Sequence, residues 1–386
     1  MRLLFIIAGS KYKGGTEILT ANLFAKLNEC GFECFLFSNN SYITTEEHII
    51  PFPEKDFEQW INSKGNILNK LSGNYFSDTI FRKMLLEVIC NYGIDWVICH
   101  SLDMVSSLPI VGTCKTAQIY HWSIDGFEQT ILSDIKNKTN LFSKYISLCA
   151  FYMRKWRWHR QYAMLNQNIV LTNSAKSEIF RHNKSVKSSQ ITSIPDPLLT
   201  TTDCKVISSL NNKKLIFVGR FSPEKGVMRL LRIWEMLENK LADYTLELFG
   251  EGQLEEEMRF FIKEHGLERV KFMGFTTNIE SIYSNADLCL MTSETEGFGM
   301  VLIESMYYGV PCISFDCPIS PKEIIADAGI TIPCFDEERY ASSVEALLND
   351  KKSMKRLQFN AINRAKDFYI DKVIQKWIEL LNPKNI

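Results

Sequence analysis

The chain holds 386 residues, which predicts two domains at ~150 residues per domain. Hydrophobic residues make up 46% and charged residues 23%, proportions typical of a soluble protein with two apolar cores. A net charge of −1 excludes a general nucleic-acid binder. No apolar run reaches the ~18 residues that a membrane-spanning helix needs. Eleven cysteines without a CxxC pair favour reduced thiols in a cytoplasmic protein and disfavour a structural zinc site.

The first half of the chain alternates short apolar runs with amphipathic stretches. The clearest predicted helix runs from Glu17 to Cys30, with Thr16 as its N-cap and Gly31 as its terminator. The apolar runs are typical of buried parallel strands. The predicted strands are Leu3–Ala8, Glu33–Ser38, Trp96–His100, Ala117–His121 and Ile169–Thr172.

The same alternation restarts after a segment of linker composition, Ile194–Asp203. Strand–helix alternation on both sides of one linker predicts two doubly wound, Rossmann-like α/β domains facing a cleft. We place these domains at residues 1–197 and 213–364, joined by a linker at 198–212, and expect a last helix in 365–386 to return to the first domain. The predicted strands of the second half are Lys214–Gly219, Thr245–Phe249, Val270–Met273, Asp287–Met291 and Cys312–Phe315.

A glycine-rich loop, Gly9–Thr16, follows the first predicted strand and nearly matches a phosphate-gripping P-loop. Gly15 stands where that motif needs its lysine, so we do not expect a nucleotide triphosphatase. The pair Gly14 and Gly15 can instead let an anion or a sugar approach the backbone closely. The alternative is a plain turn between a strand and a helix.

The segment Gly219–Gly226 follows the first strand of the second half and carries two cations. Arg220 offers a planar fork for phosphate oxygens, and Lys225 offers a point charge. Both should lie at the carboxyl end of the sheet, where they can stabilise the charges of a diphosphate. Solvated surface cations are the alternative.

Two carboxylates, Glu296 and Glu304, flank the glycine-rich turn Gly297–Gly299. Glu296 follows a predicted strand, and Glu304 lies about two turns inside the predicted helix Met300–Tyr308. The helix start between them offers unpaired N–H groups, an arrangement that suits a polyhydroxylated ligand better than a bare phosphate. A glycosidase pair is disfavoured, because such carboxyls must face each other across one bond and Glu304 lies inside a helix.

Together these motifs resemble the retaining glycosyltransferases of family four, which have the GT-B fold. The similarity spans nearly the whole chain and is densest from Leu215 to Asp316. The motifs that carry it are Gly14-Gly15, Gly219-Arg220, Lys225-Gly226, Gly250-Glu251-Gly252, Gly274, Ala286-Asp287, Glu296 with Glu304, and Gly309-Val310-Pro311.

The resemblance implies a role for each matching residue. Glu304 would bind the ribose hydroxyls of a nucleotide-sugar, and Glu296 would contact a hydroxyl of the donor sugar. Arg220 and Lys225 would take the diphosphate, while His121 would lie near the reacting sugar. The expected catalytic residues are therefore Glu296, His121, Arg220 and Lys225. Further donor contacts would come from Gly14, Gly15, Gly297, Phe298, Gly299 and, near the base, Phe275. Asp125 is a weaker candidate for meeting an acceptor hydroxyl.

Two departures from the family pattern lie at Asp196, where asparagine is common, and at Ile319-Ser320-Pro321, where a Gly-Pro pair is common. The second lies near the donor-side loops and leaves the identity of the sugar open.

The middle of the chain is strongly basic: residues 136–190 contain eleven Lys or Arg and a single acid, Glu178. Within it, Tyr152–Tyr162 interleaves aromatic and cationic residues. Such a helix can lie on an anionic membrane surface. The alternative is a core-packed helix whose arginines reach water.

The sequence thus predicts a retaining, metal-independent glycosyltransferase of the bacterial surface-polysaccharide type. The donor would be a nucleotide diphosphate-sugar, with UDP favoured, and the acceptor a glycan or lipid-linked hydroxyl. No Asp-x-Asp motif is present, so we expect no metal and no cofactor, and no nucleic-acid partner. We expect a cytoplasmic protein, peripheral on the inner membrane face. The alternatives are a nucleotide-sugar epimerase or hydrolase on the same fold, and a non-catalytic carbohydrate- or membrane-binding protein.

Overall fold

A computed structural model of the chain describes residues 1–7, 15–37, 48–51, 75–100, 108, 114–137 and 139–382. The chain divides into two compact units. The first comprises Met1–Ile194 and Lys376–Ile386, and the second comprises Pro195–Gln375. The segment 198–212 lies in the second unit, and the last helix, Ile370–Leu381, begins in the second unit and ends in the first.

The first unit is built on a parallel sheet of seven strands. The strands are β1 (Arg2–Ile6), β2 (Glu33–Phe37), β3 (Ile49–Ile50), β4 (Trp96–Cys99), β5 (Lys115–Tyr120), β6 (Gln167–Val170) and β7 (Ile191–Ser193). Across the sheet they lie in the order β3-β2-β1-β4-β5-β6-β7. The central strands are apolar on both faces, as a parallel sheet covered by helices requires, and Leu3 to Ile6 are fully buried.

Helices connect these strands. They are α1 (Gly15–Glu29), α2 (Tyr75–Tyr92), α3 (Ile124–Lys136), α4 (Leu141–Tyr162) and α5 (Lys176–His182). Two of them begin at residues whose side chains accept a backbone hydrogen bond: Ser123 caps α3 through the N–H of Gly126, and Asn140 caps α4 through that of Ser143.

The second unit has a parallel sheet of six strands. They are β8 (Lys214–Val218), β9 (Thr245–Phe249), β10 (Val270–Gly274), β11 (Leu288–Met291), β12 (Cys312–Phe315) and β13 (Gly329–Ile332), in the order β10-β9-β8-β11-β12-β13. Its helices are α6 (Val227–Glu238), α7 (Glu255–Glu264), α8 (Ile279–Tyr283), α9 (Met300–Tyr307), α10 (Pro321–Ile325), α11 (Glu337–Asn349), α12 (Lys351–Ala365) and α13 (Ile370–Leu381). Its core joins strand residues such as Phe217 and Leu290 to helix residues such as Trp234 and Tyr340.

The prediction of two doubly wound α/β units is confirmed. In each sheet the strand order reverses beside the first strand of the unit, between β1 and β4 and between β8 and β11. Loops that leave such neighbouring strands diverge and open a crevice at the carboxyl end of the sheet, where α/β proteins bind ligands. Three of the predicted site residues of the second unit, Arg220, Lys225 and Glu296, lie on the loops that follow β8 and β11.

Candidate active site

The loops that follow β8 and β11 carry the predicted donor site. Lys225 ends a short 3₁₀ turn, Pro223–Lys225, after β8, and Glu296 lies on the loop after β11. The Lys225 Nζ is 2.7 Å from Glu296 Oε1, so the two residues form an ion pair. Ser293 Oγ donates to the same oxygen at 2.6 Å. The second oxygen, Oε2, has no partner among the residues that the structure describes.

Close backbone packing holds the two loops in place. Gly226 has a φ of 65°, and a Cβ built on it would lie 2.0 Å from the carbonyl oxygen of Thr292. Gly250 is equally constrained, since its Cβ would lie 2.0 Å from the carbonyl oxygen of Gly219. The glycines of the sequence motifs therefore let neighbouring loops approach more closely than any side chain permits.

Arg220 is exposed on the loop after β8. Its guanidinium makes no hydrogen bond or ion pair with any part of the chain that the structure describes. A cation at the carboxyl edge of a sheet, without a protein partner, can meet an anionic ligand without first breaking an internal contact.

Glu304 lies in the second turn of α9. Its Oε2 accepts a hydrogen bond from the hydroxyl of Tyr283 at 3.0 Å. Tyr283 is fully buried and stacks on Tyr308, with ring centroids 5.7 Å apart. Burial raises the pKa of the Glu304 carboxyl, and the hydrogen bond from Tyr283 opposes that rise. Glu304 is thus a half-buried carboxylate held by one neutral donor.

The turn between the two glutamates ends at Gly299, which precedes α9 with a φ of 95°. The side chain of Phe298 is buried and packs edge-on against Phe368, so only its backbone can serve a ligand. Phe275, placed after β10, is 72% exposed. Gly15 is the first residue of α1, and Gly14 lies outside the described residues.

In the first unit, His121 follows β5 directly and meets a second histidine, His100, which follows β4. His121 Nε2 is 2.9 Å from His100 Nδ1, and the rings stack with centroids 5.1 Å apart. Thr20 Oγ1 is 3.2 Å from the same His100 nitrogen. Burial, and next the nearby His121, hold the pKa of His100 well below its usual range, so His100 is neutral.

Sequence reasoning missed His100, which it counted as the last residue of a strand. The signal that singled out His121, a first polar residue after a buried strand, was equally present at His100. Because β4 and β5 pair in parallel, their carboxyl ends bring the two histidines together.

Asp125 and Glu178 are both engaged by neighbouring elements. The Asp125 carboxylate contacts Arg181, and its Oδ1 is 2.8 Å from His182 Nε2. Glu178 is buried and accepts three hydrogen bonds from the loop after His121: from Ser123 Oγ at 2.7 Å, from the N–H of Ile124 at 2.9 Å and from the N–H of Asp125 at 3.1 Å. In the sequence, Glu178 stood out only as the single acid of a basic region. In the structure its hydrogen bonds hold the first residues of α3 in place.

The aromatic–basic segment lies on α4, which has two different faces. Phe151, Trp158 and Tyr162 are buried, whereas Leu141, Phe142 and Tyr145 are 82%, 72% and 68% exposed. Two of its cations turn toward the protein: Lys155 contacts Glu128, and Arg157 pairs with Asp78 at 2.7 Å. Among the described residues, no helix has both the length and the apolarity to cross a membrane.

Two parallel α/β units, each with loops at the carboxyl ends of its strands, are the architecture of the GT-B fold. Comparison with known proteins agrees: residues 203–364 match the family of glycosyl transferases group 1. The chain is similar to that family through this segment, which confirms the resemblance drawn from the sequence motifs. The chain is a glycosyltransferase.

Individual proteins that resemble this chain in sequence or structure include named glycosyltransferases. The chain is 32% identical over 232 residues to an alpha-1,4-N-acetyl-D-galactosaminyltransferase of Campylobacter jejuni, whose name includes a PP-undecaprenol-linked glycan; the match spans 58% of this chain and 63% of that relative. The solved structure of Anabaena HepE with UDP has a TM-score of 0.72 at 16% identity, covering 99% of both chains. Staphylococcus aureus TarM, a mutant bound to Fondaparinux, alpha-GlcNAc-glycerol and UDP, has a TM-score of 0.71 at 14% identity over 99% of both chains.

Proposed function

We propose that the protein transfers a sugar from a UDP-sugar to a hydroxyl of a glycan or lipid-linked acceptor, with retention of the anomeric configuration and without a metal ion. One observation carries the proposal: Arg220, Lys225, Glu296 and Glu304 all lie on or directly after the loops that leave β8 and β11. These residues supply two cations for a diphosphate and two carboxylates for hydroxyl groups. The names of the relatives support a role in bacterial surface-glycan synthesis.

The Lys225–Glu296 ion pair prepares the site for its donor. Lys225 and Ser293 both bind Glu296 Oε1, so the carboxylate is held in one orientation with Oε2 free to accept a sugar hydroxyl. Lys225 keeps two N–H donors for phosphate oxygens, because an ammonium has three. Glu304, in the second turn of α9, would accept from the ribose hydroxyls.

In the proposed reaction the acceptor oxygen bonds to the anomeric carbon on the face from which the diphosphate leaves. The bond from that carbon to the phosphate oxygen breaks, and its electron pair leaves with the diphosphate. The acceptor proton passes to the departing phosphate oxygen. Arg220 and Lys225 stabilise the charge that develops there, as preorganised cations do in other transferases. The family resemblance gives His121, whose ring contacts His100, a role near the reacting sugar.

Arg220→Met gives a sharp test, because Arg220 has no partner to lose among the described residues. We expect kcat/KM to fall about 100-fold, the usual effect of losing one stabilising donor, with the melting temperature unchanged. Lys240→Met is the matched control, since Lys240 pairs with Glu345 on an exposed surface at 3.0 Å. Equal activity of the two variants would contradict the diphosphate role.

A ligand screen tests the donor and the metal independence. UDP-, GDP- and ADP-sugars should be compared by thermal shift with and without EDTA, where a donor at ~100 Kd adds ~2.7 kcal/mol of stability. A shift with the UDP-sugar that survives EDTA supports the proposal, whereas a requirement for a divalent ion contradicts it. NMR of the product then assigns the anomer. Donor turnover without any acceptor would favour the epimerase or hydrolase alternative.

We further propose that the enzyme acts in the cytoplasm, peripheral on an anionic membrane surface, through the exposed face of α4. Phe142, Tyr145, Tyr152 and Trp156 are three, seven and four residues apart, close to whole helical turns, and therefore share that face. Arg160 lies over the Trp156 ring at 4.9 Å, which places a cation beside it. Such a face can insert aromatic rings at the lipid boundary.

Liposome flotation tests this surface. Phe142→Ser together with Trp156→Ser should reduce binding to vesicles containing phosphatidylglycerol. Phe260→Ser together with Phe359→Ser is the matched control, because both phenylalanines are 67% exposed on other helices. No vesicle binding by the unmodified protein, or equal loss in both pairs, would refute the membrane role.

A further inference from the structure

Three helices of the first unit bring metal-ligating side chains together. Glu128 projects from α3, His159 from α4 and His182 from the end of α5, and the three ligand atoms lie within 4.8 Å of one another. The side chains of Glu128 and His182 are 6% and 8% exposed, and that of His159 is 18% exposed. We propose that these three residues bind a zinc ion that ties α3, α4 and α5 together.

The donor set suits zinc. Two imidazole nitrogens and one carboxylate oxygen are common zinc ligands, with water in the fourth tetrahedral position. Zinc–nitrogen bonds of about 2.1 Å place tetrahedral ligand atoms about 3.4 Å apart, so these atoms need move inward by only about 1 Å. Side chains on separate helix faces can make that adjustment by small rotations of their χ angles.

The surroundings orient the His182 ring for metal binding. Asp125 Oδ1 lies 2.8 Å from His182 Nε2, and a proton on that nitrogen leaves Nδ1 as the free lone pair. A carboxylate behind a ligating histidine is the usual second partner in zinc sites.

Lys155 would compete with a zinc ion for the carboxylate of Glu128. Its ammonium contacts Glu128 Oε2, while His159 Nε2 is 3.1 Å from Oε1. Arg181 likewise contacts Asp125. The Lys155 side chain is 30% exposed, so it can turn toward water when a divalent ion binds. Removing the charge of Lys155 should therefore strengthen zinc binding. No such gain is expected if the three side chains only form hydrogen bonds with one another and bind no metal.

The test uses the full-length protein, stripped with a chelator and titrated with Zn²⁺ by calorimetry. We expect one ion per chain, a higher melting temperature on binding, and a tetrahedral visible absorption spectrum when Co²⁺ is used instead. His159→Gln and His182→Ala should each weaken binding by more than about tenfold, and Asp125→Asn by about tenfold. Lys155→Met should tighten it by about tenfold or more.

His265→Gln is the control, because His265 pairs with Glu235 on the surface of the other unit. It should leave zinc affinity unchanged. The proposal is overturned if the unmodified protein binds no Zn²⁺ at 100 µM, or if binding survives both histidine substitutions. Circular dichroism shows whether the two histidine variants fold. The tighter zinc binding expected for Lys155→Met cannot result from misfolding, because a misfolded protein would bind zinc more weakly. Sugar transfer is not the readout, so failure of the zinc site leaves the proposed transferase reaction untouched.

Discussion

Replacing Glu304 with glutamine should change protein stability and donor binding in opposite directions. In the ligand-free protein this carboxylate is half-buried on α9 and has one hydrogen-bond donor, the Tyr283 hydroxyl at 3.0 Å. Burial raises its pKa, which means that the folded protein binds the proton more tightly than the unfolded chain does. At neutral pH the charge therefore costs stability, and a neutral glutamine of the same shape removes that cost.

The size and pH dependence of the effect follow from linkage. If folding raises the pKa by one, the charge costs about 1.4 kcal/mol of stability at neutral pH. For a domain of this size, that loss lowers the melting temperature by about 3 °C. The contribution of Glu304 to stability should rise as the pH falls through its folded pKa. Below about pH 4 the carboxyl is protonated in both states, so the advantage of Glu304→Gln should disappear.

Binding should move the other way. If Glu304 accepts from the ribose hydroxyls, the glutamine loses a charge-assisted hydrogen bond worth about 1.5–3 kcal/mol, a 10- to 150-fold weaker Kd for UDP. Urea unfolding at pH 7 and pH 4 measures the first effect, and calorimetry with UDP the second. Glu280→Gln is the control, since Glu280 is exposed in the same unit. A destabilised Glu304→Gln protein refutes the burial argument; unchanged UDP affinity refutes the ribose role.

Three further outcomes are expected. Gly226→Ala should cost about 3 kcal/mol or more in urea unfolding, because its Cβ would clash with a backbone carbonyl at 2.0 Å and its φ is 65°. Gly31→Ala is the control: its φ is 87° but the space around it is open, so it should cost only about 1 kcal/mol. Equal losses of stability in the two variants would contradict the steric argument. Since burial lowers the pKa of His100, stability should fall as the pH drops below about 6.5, and His100→Gln should flatten that part of the stability curve. Glu178→Ala should cost about 1–3 kcal/mol, because it leaves the buried donors at the start of α3 without an acceptor, and a cost of zero would show that the three hydrogen bonds are dispensable.

The site was predictable from sequence to the level of loops. A strand followed by Gly219-Arg220 and another followed by Glu296 both pointed to the carboxyl end of a sheet, because parallel strands place their following loops at one edge. The direct Lys225–Glu296 contact was not predictable. The sequence analysis assigned these two residues to separate parts of the donor. They are 71 positions apart in the chain, and separation along the chain does not indicate their distance in the folded protein.

The same limit explains the residues that were missed. Tyr283 holds Glu304 only because α8 and α9 pack side by side, and His100 meets His121 only because β4 and β5 are neighbours in the sheet. On α4, pattern alone could not decide between a membrane-facing and a core-packed helix. The structure shows one buried face, as the core-packed interpretation expects, and one exposed face, for which membrane contact stays a prediction.

The sequence by itself determined the architecture, since apolar strand runs, amphipathic helices and glycine turns are local signals that follow from backbone geometry and burial. It also predicted which residues would carry the donor chemistry, through motifs of fixed spacing such as Glu296 and Glu304. Only the tertiary structure decided which of these groups touch, which carboxylate is buried enough to have a raised pKa, and that Glu128, His159 and His182 converge. Those properties depend on distances between segments far apart in the chain, and packing alone sets such distances.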